Sequence, residues 1–407
     1  MATLPRRPSP ATWLIGLLAA AILLNYIDRG AVGIAAPLMR SDLALSATGF
    51  GLAVSAFFWV YAPISLLIGW LCDRWCVYRL LAAGLALWAL STTLIAFAGG
   101  LASLIGLRVL LGLGESVTFP GSAKIIAREA PAANRGTVNA LMSAAQAGGP
   151  AIGTLAGGTI LRAYGWRAIF LVFGVATFAW VIPWLVASAP FRVHSASARA
   201  TPYPMRDLVR LPALWFTSAT HFCSNYSLYF LLAWLPLYLT KSRGYSIPAM
   251  TELVTATYLA QGCSALLFGW ASDQWVRAGT DEGRLRKGLM VGASATIGTC
   301  ILGAAMARSD AALVILLILA GAAAGVSSTN NFAIVQIFAG PRATGSWTGI
   351  QNGLSNLSGI VGPIVTGLIV DSTHSYFYAF AVTAAVSGTN ALIWLLAMPR
   401  VAQAALN

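Results

Sequence analysis

The chain has 407 residues, of which 58% are hydrophobic and 9% are charged, and its formal net charge is +13 at pH 7. Charged residues make up roughly a quarter of soluble domains, so a soluble fold would expose much of this apolar material to water. A helix needs about 20 apolar residues to cross a bilayer, and twelve crossings need roughly 240, close to the hydrophobic content of the chain. The composition predicts a polytopic helical membrane protein and leaves no segment for a soluble catalytic or nucleic-acid-binding domain.

Apolar runs that are long enough to span a membrane occur at twelve places along the chain. They lie at 12–36, 48–71, 79–98, 101–123, 138–161, 166–187, 212–239, 251–272, 288–307, 311–335, 346–370 and 376–398. The first run follows Arg6-Arg7 as in a signal peptide, but it continues through Ala36 and is interpreted as an uncleaved helix. We therefore expect an all-α integral membrane protein with twelve transmembrane helices in two six-helix bundles.

The longest predicted connection, at 188–211, carries four arginines and three prolines between the sixth and seventh runs. The expected organisation is an N-terminal six-helix bundle at 1–187, a cytoplasmic linker at 188–211 and a C-terminal six-helix bundle at 212–407. With the N-terminus placed inside, most of the 25 Lys and Arg residues fall in inside loops. This bias predicts cytoplasmic termini in a multi-pass protein of the plasma (inner) membrane.

Two short motifs recur in the two halves of the chain. The second run of each half closes on a related segment, Gly69-Trp70-Leu71-Cys72-Asp73-Arg74-Trp75 and Gly269-Trp270-Ala271-Ser272-Asp273-Gln274-Trp275. The fifth and eleventh runs share a dipeptide, Gly149-Pro150 and Gly362-Pro363. Motifs at matching ranks indicate a parallel internal repeat, which is typical of transporters whose site lies at the midplane between two halves.

Three segments of the first half resemble signatures of the major facilitator superfamily. They are Gly69-x-x-x-Asp73-Arg74, Arg108-x-x-x-Gly112-x-Gly114 and Gly148-Gly149-Pro150-x-x-Gly153. The resemblance covers nearly the whole chain and implies the twelve-helix fold and transport by alternating access. The chain departs from the superfamily after Arg74, where Trp75-Cys76-Val77-Tyr78-Arg79 replaces the usual Gly-Arg-Lys continuation.

A narrower resemblance is to the anion:cation symporter family, which includes sugar-acid, hexuronate and sialic-acid transporters. It rests on Asn25-Tyr26-Ile27-Asp28-Arg29 in the first run and on Glu115 followed by Phe119-Pro120 in the fourth. Tyr61 and Gln146 also stand where members of the family carry a Tyr and a Gln.

Four charged residues lie deep inside the predicted spans, all in the first half: Asp28, Arg29, Arg108 and Glu115. A charge at the bilayer centre costs a few kcal/mol, so such residues are tolerated where they face a cavity or pair with each other. Neighbours on a helix point about 100° apart, so one of Asp28 and Arg29 can face a cavity while the other faces a neighbouring helix. A purely structural set of charge pairs is the alternative interpretation.

The charged residues have separate predicted roles. A guanidinium binds a carboxylate bidentately, so Arg29 is the first candidate for the substrate anion, with Arg108 as a second candidate or a structural partner. A carboxylate in a low-dielectric surrounding can exchange protons near neutral pH, which makes Asp28 and Glu115 the candidates for proton coupling. The family resemblance implies the same roles.

The second half supplies polar side chains without charge. The run Ser327-Ser328-Thr329-Asn330-Asn331 is expected to interrupt the tenth helix, and further polar residues lie along the eleventh. The predicted substrate-binding residues, beside the two arginines, are Tyr26, Tyr61, Gln146, Asn331, Asn352 and Asn356. Packing and interhelical hydrogen bonding are the alternative roles for these residues.

Asp73 and Arg74 are predicted to control gating by pairing across the two halves, with a solvated loop end as the alternative. The sequence contains neither an ATP-binding Gly-x-x-x-x-Gly-Lys-Ser/Thr loop nor a His/Cys metal spacing, so we expect no cofactor and no metal. We find no convincing nucleophile–base pair in the spans, so the chain is not expected to be an enzyme.

The predicted function is proton-coupled symport, in the direction of uptake, of a small organic anion that is a carboxylate or sugar acid. The expected partners are this anion, the proton and the lipid bilayer, with no nucleic acid and with a monomer as the default state. Two alternatives remain open. One is a proton antiporter that exports a drug-like or other organic compound, and the other is a non-transporting membrane receptor.

Overall fold

The computed structural model describes residues 10–129, 135–192 and 205–402, and within these ranges it contains helices and no strand. The helices of the first half are α1 (Pro10–Asp42), α2 (Ala47–Arg74), α3 (Val77–Ile95), α4 (Leu101–Glu115), α5 (Thr118–Glu129), α6 (Arg135–Tyr164) and α7 (Trp166–Ala187). Those that follow are α8 (Met205–Leu208), α9 (Pro212–Leu237), α10 (Ile247–Arg277), α11 (Glu282–Met306), α12 (Asp310–Ser355), α13 (Ser358–Thr373) and α14 (Phe377–Leu392).

Each predicted span coincides with helical structure, and the predicted fold class is confirmed. Nine segments of the described chain are long and apolar enough to cross a membrane. The fourth span is divided between α4 and α5. The tenth and eleventh spans are joined, because α12 runs through the expected connection and α13 completes the eleventh span. The molecule is an all-α integral membrane protein with twelve transmembrane helices in two six-helix bundles.

One expectation about α12 is wrong, because the polar run 327–331 does not interrupt the helix. Its side chains bond back to carbonyl groups about one turn earlier. The Ser328 hydroxyl donates to the Gly325 carbonyl at 3.0 Å, and the Asn330 amide donates to the Val326 carbonyl at 2.9 Å. Polar groups satisfied in this way remain compatible with a helix in an apolar surrounding.

The division between α4 and α5 follows from a proline. Pro120 has no backbone N–H, so the carbonyl of Ser116 lacks the donor that would continue the helix. The chain turns at Ser116 and Val117, directly after Glu115, and α5 begins at Thr118. The break therefore lies beside one of the four buried charges.

The two bundles pack closely at the end of the molecule opposite the chain termini, where α1 ends and α2 begins; we call this the distal end. Two glycines bring the backbones together there. A Cβ atom on Gly33 would lie 2.0 Å from the carbonyl oxygen of Leu232, and one on Gly51 would lie 2.2 Å from that of Pro363. A side chain at position 33 would force α1 away from α9, and a side chain at position 51 would force α2 away from α13.

A carboxylate across the bundle interface caps α2 at the distal end. Asp371, near the end of α13, accepts hydrogen bonds from the backbone N–H groups of Ala47 at 2.9 Å and Thr48 at 2.7 Å. These N–H groups belong to the first turn of α2, which has no carbonyl partners of its own and attracts negative charge. The contact holds the two bundles together at their distal ends.

The predicted gating residues Asp73 and Arg74 lie in the last turn of α2, at the opposite end from Asp371. Their side chains lie outside the described part of the structure, so their pairing remains a prediction.

The close approach at Gly51 leads to a test of the distal closure. We expect Gly51→Ala to separate α2 from α13, because its methyl group would occupy the position of the Pro363 carbonyl oxygen. A single reporter, Thr48→Cys in a cysteine-free background, should then react faster with a membrane-impermeant maleimide, and the melting temperature should fall. The matched control is Gly106→Ala in α4, where nothing lies within 4 Å of the new methyl group. Equal labelling rates and melting temperatures for the two variants would contradict the closure.

Candidate functional site

A buried ion pair between α1 and α4 lies at the centre of the site. The Nε atom of Arg29 donates to the Oε2 atom of Glu115 at 3.2 Å, and the two side chains are 8% and 0% exposed. One hydrogen-bond donor and one acceptor of this pair have no partner in the described structure. The Nη2 atom of Arg29 and the Oε1 atom of Glu115 are buried and have no hydrogen-bond partner among the described residues.

Asp28 points away from this pair and toward α3. Its Oδ2 atom accepts hydrogen bonds from the indole Nε1 of Trp88 at 2.5 Å and from the hydroxyl of Thr92 at 3.3 Å. All three side chains are buried. The expectation that Asp28 and Arg29 face different surroundings is therefore confirmed.

Arg108 also lies on α4. In the described structure its guanidinium bonds to backbone carbonyl groups rather than to an acid. Its Nε donates to the carbonyl of Ala53 at 3.4 Å and its Nη2 to that of Val54 at 3.3 Å. Its guanidinium carbon lies 5.2 Å from the centre of the Phe57 ring, and that of Arg29 lies 5.3 Å from the same ring. These contacts agree with a structural role in holding α2 against α4.

Aromatic rings surround the guanidinium of Arg29. Its central carbon lies 4.8 Å from the ring centre of Tyr61 and 5.3 Å from that of Tyr26. The side-chain amide of Gln146 on α6 donates to the Tyr26 hydroxyl at 2.8 Å. The structure thus brings Tyr26, Tyr61 and Gln146 together around Arg29, as the sequence motifs suggested.

The second bundle meets Arg29 through Tyr229 on α9, a residue that the sequence reasoning missed. The ring of Tyr229 packs on Phe58 with centres 4.7 Å apart, and its hydroxyl donates to the Oδ1 atom of Asn356 at 2.7 Å. The amide of Asn356 donates in turn to the backbone carbonyl of Asn352 at 2.7 Å. The signal that could have found Tyr229 is the polar stretch Ser224-Asn225-Tyr226-Ser227, which lies just before it inside a membrane span.

Asn331 lies apart from this group. It is buried on α12, and no hydrogen bond within the described ranges connects it to Arg29 or Asn356. Its neighbour Asn330 accepts a hydrogen bond from Arg286 of α11 at 3.2 Å. A role for Asn331 in substrate binding remains a prediction.

A small cavity adjoins Arg29 in the part of the chain that the structure describes. The cavity between the bundles has a volume of about 20 Å³ and is lined by Arg29, Phe57, Phe58, Arg108, Tyr229 and Leu232, among others. A cavity of this size holds about one water molecule. A larger ligand does not fit this cavity unless the helices that line it move apart.

Comparison with known proteins identifies the family. The sequence profile of the Major Facilitator Superfamily matches residues 18–253 and 247–406. The chain belongs to this superfamily. The superfamily and its curated relatives are transporters rather than enzymes.

Two curated relatives illustrate the similarity of this superfamily member to bacterial transporters. A hexuronate transporter of Bacillus subtilis (strain 168) is 28% identical over 88% of this chain and 87% of its own length. A probable sulfoacetate transporter of Cupriavidus necator is 29% identical over 95% of this chain and 93% of its own length.

A solved structure supports the fold. A bacterial homologue of the human lysosomal transporter Spinster, described as inward-facing and occupied, superposes with a TM-score of 0.81. It covers 96% of this chain and 97% of its own at 16% identity. At that identity the likeness supports the multi-pass transporter fold alone.

The Arg29–Glu115 geometry predicts strong energetic coupling between the two residues. Removing one partner of a buried pair leaves an uncompensated charge and costs about 3–5 kcal/mol. We expect Arg29→Gln and Glu115→Gln each to lower the unfolding free energy in detergent, and the double variant to be more stable than either one. A matched control cycle uses Arg243→Gln and Asp310→Asn, a pair of similar length (3.3 Å) whose acid is 73% exposed. The coupling free energy of that exposed pair should be about 1 kcal/mol or less. Additive losses at Arg29 and Glu115 would refute the pairing.

Proposed function

We propose that this transporter is a proton-coupled symporter that takes up a small organic anion, a carboxylate or sugar acid, by alternating access. The observation that carries the proposal is the buried Arg29–Glu115 pair, which stands at the closed interface of the two bundles with unused hydrogen-bonding atoms. In this proposal residues 1–187 and 212–407 form the two bundles, residues 188–211 form the cytoplasmic linker, and the chain acts as a monomer in the plasma membrane.

Arg29 has the geometry of an anion receptor. A guanidinium offers parallel N–H groups that match the two oxygens of a carboxylate. Only its Nε is used by Glu115 in the described contacts, while Nη2 is buried and unpartnered. A buried donor without a partner is costly, so a ligand carboxylate at this position would gain both charge and hydrogen-bond compensation.

In this proposal, proton coupling arises because the substrate carboxylate and Glu115 compete for Arg29. A substrate carboxylate and an ionised Glu115 would place two negative charges beside Arg29 in a low-dielectric site. Protonation of Glu115 removes the repulsion and releases the guanidinium to the substrate. Each proton carried inward contributes about 2.3 kcal/mol per 100 mV of membrane potential. Asp28 on α1, whose carboxylate accepts hydrogen bonds from Trp88 and Thr92 of α3, serves as the second proton carrier.

The relatives support an anionic substrate. Their names include hexuronate, sulfoacetate, L-galactonate and galactarate or D-glucarate, and all of these compounds are acids. Neutral amides of the second bundle suit hydroxyl groups of such a ligand. Asn356 bonds to Tyr229, which lines the cavity beside Arg29, and we assign Asn352 and Asn331 to the same role.

Uptake into proteoliposomes tests the proposal. The panel contains D-glucuronate, D-galactonate, D-glucarate and sulfoacetate, each offered with and without an imposed inward proton gradient. Accumulation of at least one acid above equilibrium, accompanied by alkalinisation of the outer medium, is expected. Efflux of the compound driven by inward proton movement would instead indicate an antiporter, and saturable binding without flux would indicate a receptor.

Replacement of Arg29 tests the anion contact. We expect Arg29→Lys to weaken binding of the transported acid by tenfold or more, because an ammonium group cannot form the paired hydrogen bonds of a guanidinium. The measurement is the ligand-dependent rise in melting temperature. The control is Arg167→Lys, which alters an exposed pair with Asp42 at the distal end and should leave affinity unchanged. Wild-type affinity in Arg29→Lys would refute this role.

Replacement of Glu115 tests the coupling. We expect Glu115→Gln to abolish proton-driven accumulation while retaining exchange of labelled for unlabelled acid, because the amide mimics a permanently protonated carboxyl group. Counterflow and gradient-driven uptake are measured on the same liposomes. The control is Glu252→Gln on the exposed surface of α10, which should behave as the unaltered protein. Uphill uptake by Glu115→Gln at the normal rate would contradict the assignment.

A further inference from the structure

The two acids of the site are held in different ways. Glu115 faces a cation, whereas Asp28 faces two neutral donors, the indole of Trp88 and the hydroxyl of Thr92. Asp28 is 3% exposed, Trp88 is fully buried and Thr92 is 1% exposed. Donors to an ionised carboxylate form stronger hydrogen bonds than donors to a neutral one, so these two contacts offset part of the cost of burying a charge on Asp28.

Glycines let Trp88 reach Asp28. A Cβ atom on Gly114 would lie 2.6 Å from the backbone nitrogen of Trp88 and 2.8 Å from the carbonyl oxygen of Gly84. The backbones of α3 and α4 therefore touch at this level, one residue before Glu115. The indole of Trp88 extends from this contact to α1, so one residue packs against the segment of Glu115 and bonds to Asp28.

The charged residues around Asp28 can be named for each helix that packs nearby. From α4 it faces Glu115 and Arg108, and Arg29 adjoins it on α1. The charged residues of α6 and α7 stand near the ends of those helices, at Arg135, Arg162 and Arg167, and α9 contains none. The groups that touch the carboxylate of Asp28 in the described structure are the two neutral donors on α3.

We propose that Trp88 is a positioning residue that sets the pH range of transport, because its indole N–H, assisted by the hydroxyl of Thr92, bonds more strongly to the ionised form of Asp28 than to the protonated form. This inference rests on the proposed role of Asp28 as a proton carrier. Trp88 itself touches neither substrate nor proton. It determines how acidic the medium must be before Asp28 is protonated and the coupled step can proceed.

The test compares Trp88→Phe with the unaltered protein in two measurements. The first is the pH at which gradient-driven uptake of the acid found in the panel is half-maximal. The second is the infrared band of protonated carboxyl groups, followed through a pH titration of purified protein and assigned by its loss in Asp28→Asn. Loss of a hydrogen bond to a charged group should shift both midpoints upward by roughly one to two pH units. Thr92→Val should shift them in the same direction by less, because its bond is longer.

The control is Trp234→Phe, which also removes a buried indole N–H. The Nε1 atom of Trp234 has no hydrogen-bond partner in the described part of the chain, and its ring packs on Phe50 at the bundle interface. Neither midpoint should move in this variant. Unchanged midpoints in Trp88→Phe, with uptake retained, would overturn the inference. A shifted infrared midpoint in a protein that transports none of the acids would support the positioning role and would refute the proposed function instead.

Discussion

The buried contact between Arg29 and Glu115 is the interaction on which the other features of the molecule depend. An arginine and a glutamate without solvent are stable only as a pair, and even then such pairs add little to stability. The protein nonetheless surrounds them with aromatic rings and leaves one donor and one acceptor unused. A pair retained at this cost, with spare hydrogen-bonding atoms at the junction of two bundles, fits a site that exchanges its internal partner for a ligand.

Close backbone packing makes this arrangement possible. Side chains such as Tyr61 and Tyr229 reach Arg29 because glycines let neighbouring helices approach without a Cβ atom between them. Gly112 packs on the backbone of Phe57, and Gly33 packs on that of Leu232. At the distal end Asp371 adds a polar contact to this apolar packing by capping α2 from the other bundle. At the distal end the two bundles are thus held by close backbone packing together with the two hydrogen bonds that Asp371 accepts.

The sequence predicted the spans well because hydrophobic length is a local property. It also placed four charges in the first bundle and grouped Tyr26, Tyr61 and Gln146 near them. It could not pair Arg29 with Glu115, which are 86 residues apart, because their meeting depends on where α1 crosses α4. Tyr229 and Asp371 were missed for the same reason. The expected break at 327–331 failed because polar side chains can bond within their own helix, whereas the break at Ser116 followed from a proline.

The unequal distribution of charge between the bundles has a mechanical consequence. Inside the second bundle, α9 makes neutral polar contacts with α12 and α14, as in Asn225 with Ser355 at 3.2 Å and Ser227 with Ser387 at 2.8 Å. Interhelical hydrogen bonds of this kind contribute about 0.6 kcal/mol each in membranes, whereas parting a buried ion pair costs about 3–5 kcal/mol. Neutral contacts of this kind can therefore be exchanged at little cost when helices of the second bundle shift against each other. Because Arg29 and Glu115 both belong to the first bundle, a separation of the two bundles would not part this ion pair.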